Sequence, residues 1–319
     1  MSFKIRDYQH PEDATEFLEV MNTWQVPQLT LEQYLEREQQ RPASEQPLEK
    51  ILLEVAGVIC GFAQVIPHSF VPPSWAGSGI VVHPVHRQNG YGQALWSELE
   101  QRLSKHALKG LEIYIRDDDP ESRVWAEARG FSYYAHRFTS TLNLELFEAN
   151  RFAGHTNYVK ASGIGLITFA DLEQNEENWL ALHEFFADSL QHTPDLEHNP
   201  RWSLEQVAHH VQNNPNASPD RIFLALDGNS WIGISVLSRD RGQVLNLLTA
   251  VNPSHRGRGI ALALKLEAIK KAKALGFSQM RTNNLSVNAP MLEVNRKLGF
   301  EALPGRWMLR LKLEKTNES

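Results

Sequence analysis

The feature that most constrains this chain is a glycine-bearing loop that occurs twice in similar surroundings. One copy runs from Val82 to Leu95 (VHPVHRQNGYGQAL) and the other from Val251 to Leu264 (VNPSHRGRGIALAL). Each copy follows an apolar segment and leads into a stretch in which apolar residues recur with helical spacing. A strand, a glycine loop and a helix start in this order leave free N–H groups at the helix N-terminus, where they can bind an anion such as phosphate.

The two loops belong to a longer internal repeat. Arg87 and Arg256 are 169 positions apart, and the same offset separates Gly130 from Gly299. One offset shared by well-separated positions is hard to obtain by chance, and the length of 319 residues also favours two domains over one. The sequence therefore predicts two copies of one α/β fold in tandem.

The elements predicted along the chain repeat in the same order. In the first half, an N-capping Thr30 opens a helix, and a β-hairpin then turns at Ala56-Gly57. In the second half, a corresponding hairpin turns at Asp227-Gly228. Residues 150–163 between the halves are polar, contain glycine and lack a clear period, so they are the predicted linker. The predicted domains are residues 1–149 and 164–319.

Composition narrows the possible partners. A formal net charge of −6 argues against broad nucleic-acid binding, which needs a basic face. No stretch approaches the roughly 18 apolar residues of a membrane helix, and the N-terminus lacks the apolar core of a signal peptide. The single cysteine, Cys60, lies among apolar residues and is expected to be a buried, reduced thiol. We therefore expect a cytoplasmic protein with no nucleic-acid or membrane partner, and the oligomeric state stays open.

Two common phosphate-binding loops do not fit the pattern. A Walker loop ends in Gly-Lys followed by Ser or Thr, and neither copy has that ending. A dinucleotide-binding fingerprint needs a third glycine, but Leu95 stands where the glycine after Gly90 and Gly92 should be. What remains in both copies is an Arg-x-x-Gly-x-Gly/Ala loop that follows a Val-x-Pro segment.

This pattern resembles the acyl-CoA loop of the GNAT N-acetyltransferase superfamily. The resemblance is carried by Arg87 to Gly92 and Arg256 to Ala261, together with the late Gly-Phe pairs at 130–131 and 299–300. It implies an α/β fold with two tandem GNAT-like domains, each with a mixed, mostly antiparallel sheet flanked by helices. It also implies an enzyme that transfers an acetyl group from acetyl-CoA to the amine of a small molecule or peptide, without a metal. The acceptor, and whether one domain is degenerate, are left open.

The resemblance further implies which residues would bind acetyl-CoA. The loop amides would hold the pyrophosphate at a helix N-terminus, and the strand before each loop would hydrogen-bond the pantetheine arm. In the first half these residues are Val81, Val82, Arg87, Gln88, Asn89, Gly90, Tyr91 and Gly92. In the second half they are Ala250, Val251, Arg256, Gly257, Arg258, Gly259, Ile260 and Ala261, with Asn288 on the next helix. The second loop, with two arginines and two glycines, is predicted to be the better site.

The catalytic groups are less well defined. Many members of the superfamily have a tyrosine, five residues before the late phenylalanine, that protonates the departing thiolate, but Ala126 and Asn295 occupy those positions here. Tyr133 and Tyr134 are nearby candidates for the acid. Glu112 is a candidate base, although we expect it more as a solvated charge on a strand.

Two other functions stay open. The missing tyrosines suit a non-catalytic acyl-CoA-binding or interaction module, and the loops alone would suit a phosphate-binding enzyme of another kind, such as a kinase. Acceptor pockets in the superfamily come from the first helices and from loops after strands, here residues 25–38 and 191–202. Both segments are of mixed character and do not identify an acceptor. The negative net charge is compatible with a cationic amine.

Overall fold

In a computed structural model, the chain folds into two compact units of helices and strands. The structure describes residues 2–25, 27–68, 71–194, 197, 199–214, 216–240 and 243–313. Unit 1 comprises Met1–Ile115, Pro120–Tyr134 and Met308–Ser319, and unit 2 comprises Arg116–Asp119 and Ala135–Trp307. Each unit therefore contains a segment from the opposite half of the sequence.

The secondary structure follows the predicted order closely. The strands are β1 (Lys4–Asp7), β2 (Glu49–Val55), β3 (Val58–Ile66), β4 (Trp75–Val82), β5 (Gly110–Arg116), β6 (Ser132–Asn143), β7 (Ile164–Thr168), β8 (Ile222–Asp227), β9 (Ser230–Asp240), β10 (Gln243–Val251), β11 (Gln279–Leu285), β12 (Glu301–Ala302) and β13 (Arg306–Lys312). The helices are α1 (Ala14–Asn22), α2 (Leu31–Gln39), α3 (Tyr91–Leu103), α4 (Pro120–Glu127), α5 (Ala153–Ala161), α6 (Glu176–Gln191), α7 (Leu204–Val211), α8 (Ile260–Ala274) and α9 (Ala289–Leu298). Within the described residues, no helix has both the length and the apolar character needed to cross a membrane.

Unit 1 is built on a sheet in the strand order β1-β2-β3-β4-β5-β13. Strands β1 to β4 pair antiparallel, whereas β4 and β5 are parallel. Helices α1 and α2 cover one face, where Phe17 packs in a core with Leu52 and Phe62. Helix α3 covers the other face, and its Leu95 lies close to Gly61 because side chains alternate between the two faces of a strand.

Unit 2 repeats this architecture in the strand order β6-β11-β10-β9-β8-β7, with β12 beside β6. Its strands pair antiparallel except for β10 and β11, which are parallel. Phe186 of α6 and Val207 of α7 share a core with Ile234 of β9. Ile260 and Leu264 of α8 belong to a second core. The predicted fold, two units that each have a mostly antiparallel sheet between helices, is confirmed.

The segment predicted as a linker is helical. A 3₁₀ turn at Ala149–Phe152 leads into α5, which buries Val159 completely in a core of unit 2. The sequence does not indicate this helix, because α5 buries only this one residue and no apolar stripe marks it. Residues 150–163 stay a predicted linker between the two halves of the repeat. The compact units also divide the chain differently from the predicted domains 1–149 and 164–319, which stay a prediction about the sequence repeat.

Candidate active site

In each unit, the two parallel strands diverge and leave a wedge-shaped gap. Strands β4 and β5 pair over three residues, ending at Gly77–Glu112, and β10 and β11 pair over three residues, ending at Asn246–Thr282. Beyond these pairs, β4 and β10 each run on for five residues, all of them described, without pairing to β5 or β11. Backbone groups on that side make no strand pairing over these residues, so a ligand can hydrogen-bond to them. We call the two gaps wedge 1 and wedge 2, after their units.

A loop with left-handed backbone follows each wedge. In unit 2, Gly257 and Gly259 have φ of 78° and 77°. In unit 1, Gly90 has φ of 79°, but the residue equivalent to Gly257 is Gln88, with φ of 62°. Glycine adopts such angles without steric cost, whereas a residue with a side chain loses about 1–2 kcal/mol. The two loops therefore have the same course, and the first is strained.

The loops end at helix N-termini that can accept an anion. Gly90 and Gly259 are the N-caps of α3 and α8. The first helical bonds are donated by the N–H of Ala94 to the Gly90 carbonyl (3.0 Å) and by the N–H of Ala263 to the Gly259 carbonyl (3.1 Å). The amides before them have no acceptor within the helix, and the helix dipole adds positive potential there. This geometry fits a phosphate or diphosphate group.

The two loop arginines brace the loops. Nε of Arg87 donates to the Val82 carbonyl (3.3 Å), and Nε of Arg256 donates to the Val251 carbonyl (3.2 Å). Arg256 also donates through Nη2 to the His192 carbonyl (3.3 Å). Each guanidinium thus ties its loop to the end of the wedge strand.

Several predicted cofactor-binding residues can offer only their backbone. The side chains of Val81, Val251, Tyr91 and Ile260 are buried in the cores. Ala261 is half-buried, in the first turn of α8. These four buried side chains anchor the strand ends and helix starts, so only the backbone of these residues is available to a ligand.

Unit 2 supports its loop with additional side chains. Nε2 of His155, on α5, lies 2.9 Å from the Gly259 carbonyl oxygen. A Cβ added to Gly259 would lie 2.6 Å from the His155 ring, whereas a Cβ added to Gly90 would meet nothing within 4 Å. Arg258 approaches the carboxylate of Asp227 at 3.6 Å. Helix α5 and the β8–β9 hairpin thus hold the second loop from two sides.

A β-bulge marks the base of wedge 2. The register of β10 against β9 shifts between Asn246 and Leu248, so Leu247 has no opposite residue. The buried Asn246 side chain donates through Nδ2 to the carbonyls of Val236 (3.2 Å) and Leu248 (3.1 Å) and to Oγ of Ser235 (3.0 Å). The side-chain amide therefore satisfies carbonyls around the interruption in the ladder.

Lys265 of α8 is buried and points at this amide. Its Nζ donates to Oδ1 of Asn246 (2.6 Å), which also accepts the hydroxyl of Thr249 (3.0 Å). Nζ lies 5.2 Å from the ring centroid of Phe300. Desolvation lowers the pKa of Lys265 to about 7, because burial disfavours the charged amine.

Amide side chains connect β11 with α9. Nδ2 of Asn284 donates to Oγ of Ser140 (2.9 Å), and Nδ2 of Asn295 donates to Oδ1 of Asn284 (2.7 Å). Oδ1 of Asn295 is buried without a hydrogen-bond partner in the described part of the chain. Asn288, predicted to lie near the cofactor, caps α9 by accepting the N–H of Met291 (3.4 Å).

The base of wedge 1 contains a closed ion pair instead. Glu112 is fully buried and accepts hydrogen bonds from Nε of Arg310 (2.8 Å) and the hydroxyl of Tyr114 (2.7 Å). The Arg310 guanidinium lies 3.5 Å from the ring centroid of Tyr134, and Tyr133 is half exposed. The expectation of a solvated Glu112 is wrong, because β13 brings a cation to β5 from a distant part of the sequence.

The remaining predicted positions are placed as follows. Cys60 is buried, as predicted, and burial raises the pKa of its thiol. Ala126 is buried in α4. In the predicted acceptor segment 25–38, Thr30 N-caps α2 with a capping box, and residue 26 lies outside the described residues. In segment 191–202, residues 195, 196 and 198 lie outside them.

Comparison with known proteins identifies the family. The Acetyltransferase (GNAT) family model matches residues 13–131 and 164–300. The chain belongs to the GNAT family of acetyltransferases. Mycothiol acetyltransferase from Clavibacter sepedonicus is 24% identical over 222 residues, which are 69% of this chain and 68% of that protein.

Solved structures have the same tandem architecture. A GCN5-related N-acetyltransferase from Sphaerobacter thermophilus superposes with a TM-score of 0.69 at 17% identity, covering 97% of this chain and 95% of that one. A tandem GNAT protein from the clavulanic acid biosynthesis pathway superposes with a TM-score of 0.67 at 18% identity, covering 98% of both chains. The predicted tandem GNAT organisation is confirmed.

Three residues that shape the wedges were not identified from the sequence. Lys265 had a visible signal, because it stands four residues after Ala261 and three before Ala268 on a face of α8 that is otherwise apolar. His155 was hidden by the absence of a helical pattern in α5. Arg310 carried no signal, because nothing local indicates that β13 joins β5.

Proposed function

We propose that this GNAT protein transfers an acetyl group from acetyl-CoA to the amine of a small molecule. The observation that carries the proposal is a combination present in both units, in which splayed parallel strands lead to a left-handed glycine at a helix N-terminus. The open backbone of the wedge suits the amide-bearing pantetheine arm, and the loop amides suit the diphosphate.

Unit 2 is the proposed catalytic unit. Gly257 and Gly259 form its loop without strain, Arg256 adds positive charge beside the helix N-terminus, and Arg258 ties the loop to Asp227. In unit 1, Gln88 is strained in the loop. Unit 1 is then a weaker donor site or a degenerate one.

The chemistry requires few side chains. The neutral amine nitrogen attacks the thioester carbon, the carbon–sulfur bond breaks, CoA thiolate leaves, and the nitrogen loses its proton to solvent. A free backbone N–H near Ala250 or Val251 would stabilise the negative charge that develops on the carbonyl oxygen. Asn295, at the position of the usual tyrosine, cannot donate a proton, so the thiolate leaves without a general acid from this position.

A small-molecule acceptor is supported by relatives named mycothiol acetyltransferase. These relatives share less than 30% of their residues with this chain, so the acceptor is proposed only as an amine of that size class. The negative net charge suits a cationic amine. Cytoplasmic residence stays a prediction from composition.

Calorimetric titration with acetyl-CoA tests the donor site. Ala261→Glu and the equivalent Gly92→Glu place a carboxylate in the first turn of α8 and α3, where it favours the helix but repels the diphosphate. We expect Ala261→Glu to weaken binding at unit 2 by roughly tenfold or more, while the uncharged Ala261→Gln binds nearly as well as wild type. Absence of any acetyl-CoA binding by the wild-type protein would end the proposal.

A turnover assay separates the enzyme from the binding module. CoA release is followed with a panel of amino sugars, polyamines, amino acids and peptides. Release that depends on an amine and is lost in Ala261→Glu supports the enzyme. Tight acetyl-CoA binding without turnover on any amine supports a non-catalytic acyl-CoA-binding module instead.

A further inference from the structure

The bulge in β10 at the base of wedge 2 is bridged by side-chain hydrogen bonds where the backbone ladder is interrupted. At the interruption, the Asn246 side chain donates to the carbonyl of Val236 on the neighbouring strand β9. It also donates to the carbonyl of Leu248, which follows Leu247 on β10. An amide does this only in one of its two orientations, with Nδ2 toward the carbonyls and Oδ1 toward α8. Whatever fixes that orientation therefore fixes the bulge.

Lys265 is in position to fix it. Its amine bears only donors when protonated, and it stands 2.6 Å from Oδ1 of Asn246. Flipping the amide would leave two carbonyls facing Oδ1, and it would point Nδ2 at another donor whenever the amine is protonated, which are mismatched contacts in a buried site. Thr249, which follows the bulge, adds a second donor to the same oxygen at 3.0 Å.

Unit 1 lacks this arrangement. Its wedge strand β4 pairs with β3 in continuous register from Gly77 to Val82, without a bulge. The position equivalent to Lys265 by the 169-residue offset is Trp96, a buried residue that packs against Phe131. Thus the buried lysine and the bulge occur together in one unit and are both absent from the other.

We propose that Lys265 is a positioning residue that locks the Asn246 amide and so maintains the bulge and the donor-binding shape of wedge 2. The amine lies too deep to touch the substrate, and its effect reaches the wedge through Asn246 and the backbone of residues 247–249. This inference rests on the proposed function for its effect on acetyl-CoA, but its effect on the bulge stands independently.

Two substitutions remove the donors to Oδ1 without removing volume. Lys265→Met replaces the amine with an apolar chain of similar length, and Oδ1 keeps the Thr249 hydroxyl, so we expect the variant to fold. Thr249→Val removes the second donor, and the double variant leaves the amide without either. Ile269→Ala, one turn further along α8 and buried, is the matched control, because it weakens the packing of the helix and leaves both donors to Oδ1 of Asn246 in place.

Amide hydrogen exchange reads the bulge without any ligand. In full-length Lys265→Met, we expect exchange across residues 247–250 to accelerate by about tenfold or more relative to the rest of β10 and β11, and further in the double variant. Ile269→Ala is expected to change exchange across the core without singling out this segment. The proposal would be overturned if Lys265→Met and Ile269→Ala gave the same exchange pattern. It would also be overturned if exchange at residues 247–250 changed neither in Lys265→Met nor in its double variant with Thr249→Val.

Acetyl-CoA titration reads the consequence for binding. All variants are made with Gly92→Glu, so that the titration reports unit 2, and the affinity of Lys265→Met is expected to fall by on the order of tenfold. Asn246→Leu should lose as much, and adding Lys265→Met to it should cause no further loss, because both act through one amide. Additive losses would contradict the proposal. If wild type binds no acetyl-CoA but the lysine variants show the expected exchange pattern, the proposed function fails while the role of Lys265 stands.

Discussion

The two wedges are built on the same strand pairing and differ in what lies at their base. At the base of wedge 1 lies a buried ion pair between Glu112 and Arg310, whereas at the base of wedge 2 the Asn246 amide lies beside a bulge and accepts a hydrogen bond from Lys265. The two loops also differ, because Gln88 has a strained positive φ at the position where unit 2 has Gly257. A repeated backbone frame therefore does not give two equal sites. The side chains at the point where the parallel strands stop pairing differ between the two sites.

The largest effect is expected at the base of wedge 1. Glu112→Leu leaves the largely buried Arg310 without its carboxylate and should lower the free energy of unfolding by about 3 kcal/mol or more. Thr282→Val, at the paired position of wedge 2, removes only one long hydrogen bond and should cost about 1 kcal/mol. Urea denaturation measures both. The double variant Glu112→Leu with Arg310→Leu should recover part of the loss, and a loss equal to the single variant would argue against the ion pair as the cause.

A second difference lies at the two N-cap glycines. Gly90→Ala should cost about 1–2 kcal/mol of stability, because alanine is unfavourable at positive φ. Gly259→Ala carries the same cost and must also displace His155, so it should be more destabilising. In a His155→Ala background the additional loss should disappear. Equal losses for both glycines in the wild-type background would show that α5 does not press on the second loop.

The buried lysine makes stability depend on pH. Its pKa is depressed in the folded state to about 7 from an ordinary value of 10.5, so between these values the unfolded chain binds more protons than the folded one. Stability from this group should therefore rise as pH increases above 7, by at most about 1.4 kcal/mol per pH unit. Urea denaturation at pH 7 and pH 8 measures the slope. Lys265→Met should remove this increment, and an unchanged slope in that variant would exclude the lysine as its source.

The smallest effect is expected in the loops. Gln88→Gly relieves a positive φ but gives the unfolded chain more freedom, so the two changes nearly offset and stability should rise by no more than about 1 kcal/mol. The reverse change, Gly257→Gln, should lower stability by a similar amount. Thermal unfolding compares the pair. A loss of stability in Gln88→Gly would show that the glutamine side chain contributes contacts that outweigh the strain.

Much of the site could be predicted from local sequence. The N-cap of α2 at Thr30, the hairpin turn at Ala56-Gly57 and the two glycine loops all appear where the residues indicate them. These features depend on backbone preferences within a few residues, such as side-chain capping and positive φ. Helix α5 could not be predicted in this way, because its single buried residue leaves no periodic pattern in the sequence.

The features of the site that could not be predicted depend on contacts between residues on different strands and helices. Glu112 could not be recognised as buried, because its partner Arg310 lies 198 positions away and arrives only when β13 joins the sheet of unit 1. Lys265 is close to its partner in sequence, but the bulge beside Asn246, which gives the amide an interrupted ladder to bridge, is a property of strand register.

By itself, the sequence determined the family, the tandem repeat and the course of two anion-binding loops, because these follow from local backbone chemistry repeated at a fixed offset. Only the tertiary structure decided which strands complete each unit and which side chains meet where the parallel strands part. Pairing register and burial are set by the whole sheet, and a one-residue bulge beside Asn246, which β4 lacks, makes the strand at one wedge different from the strand at the other.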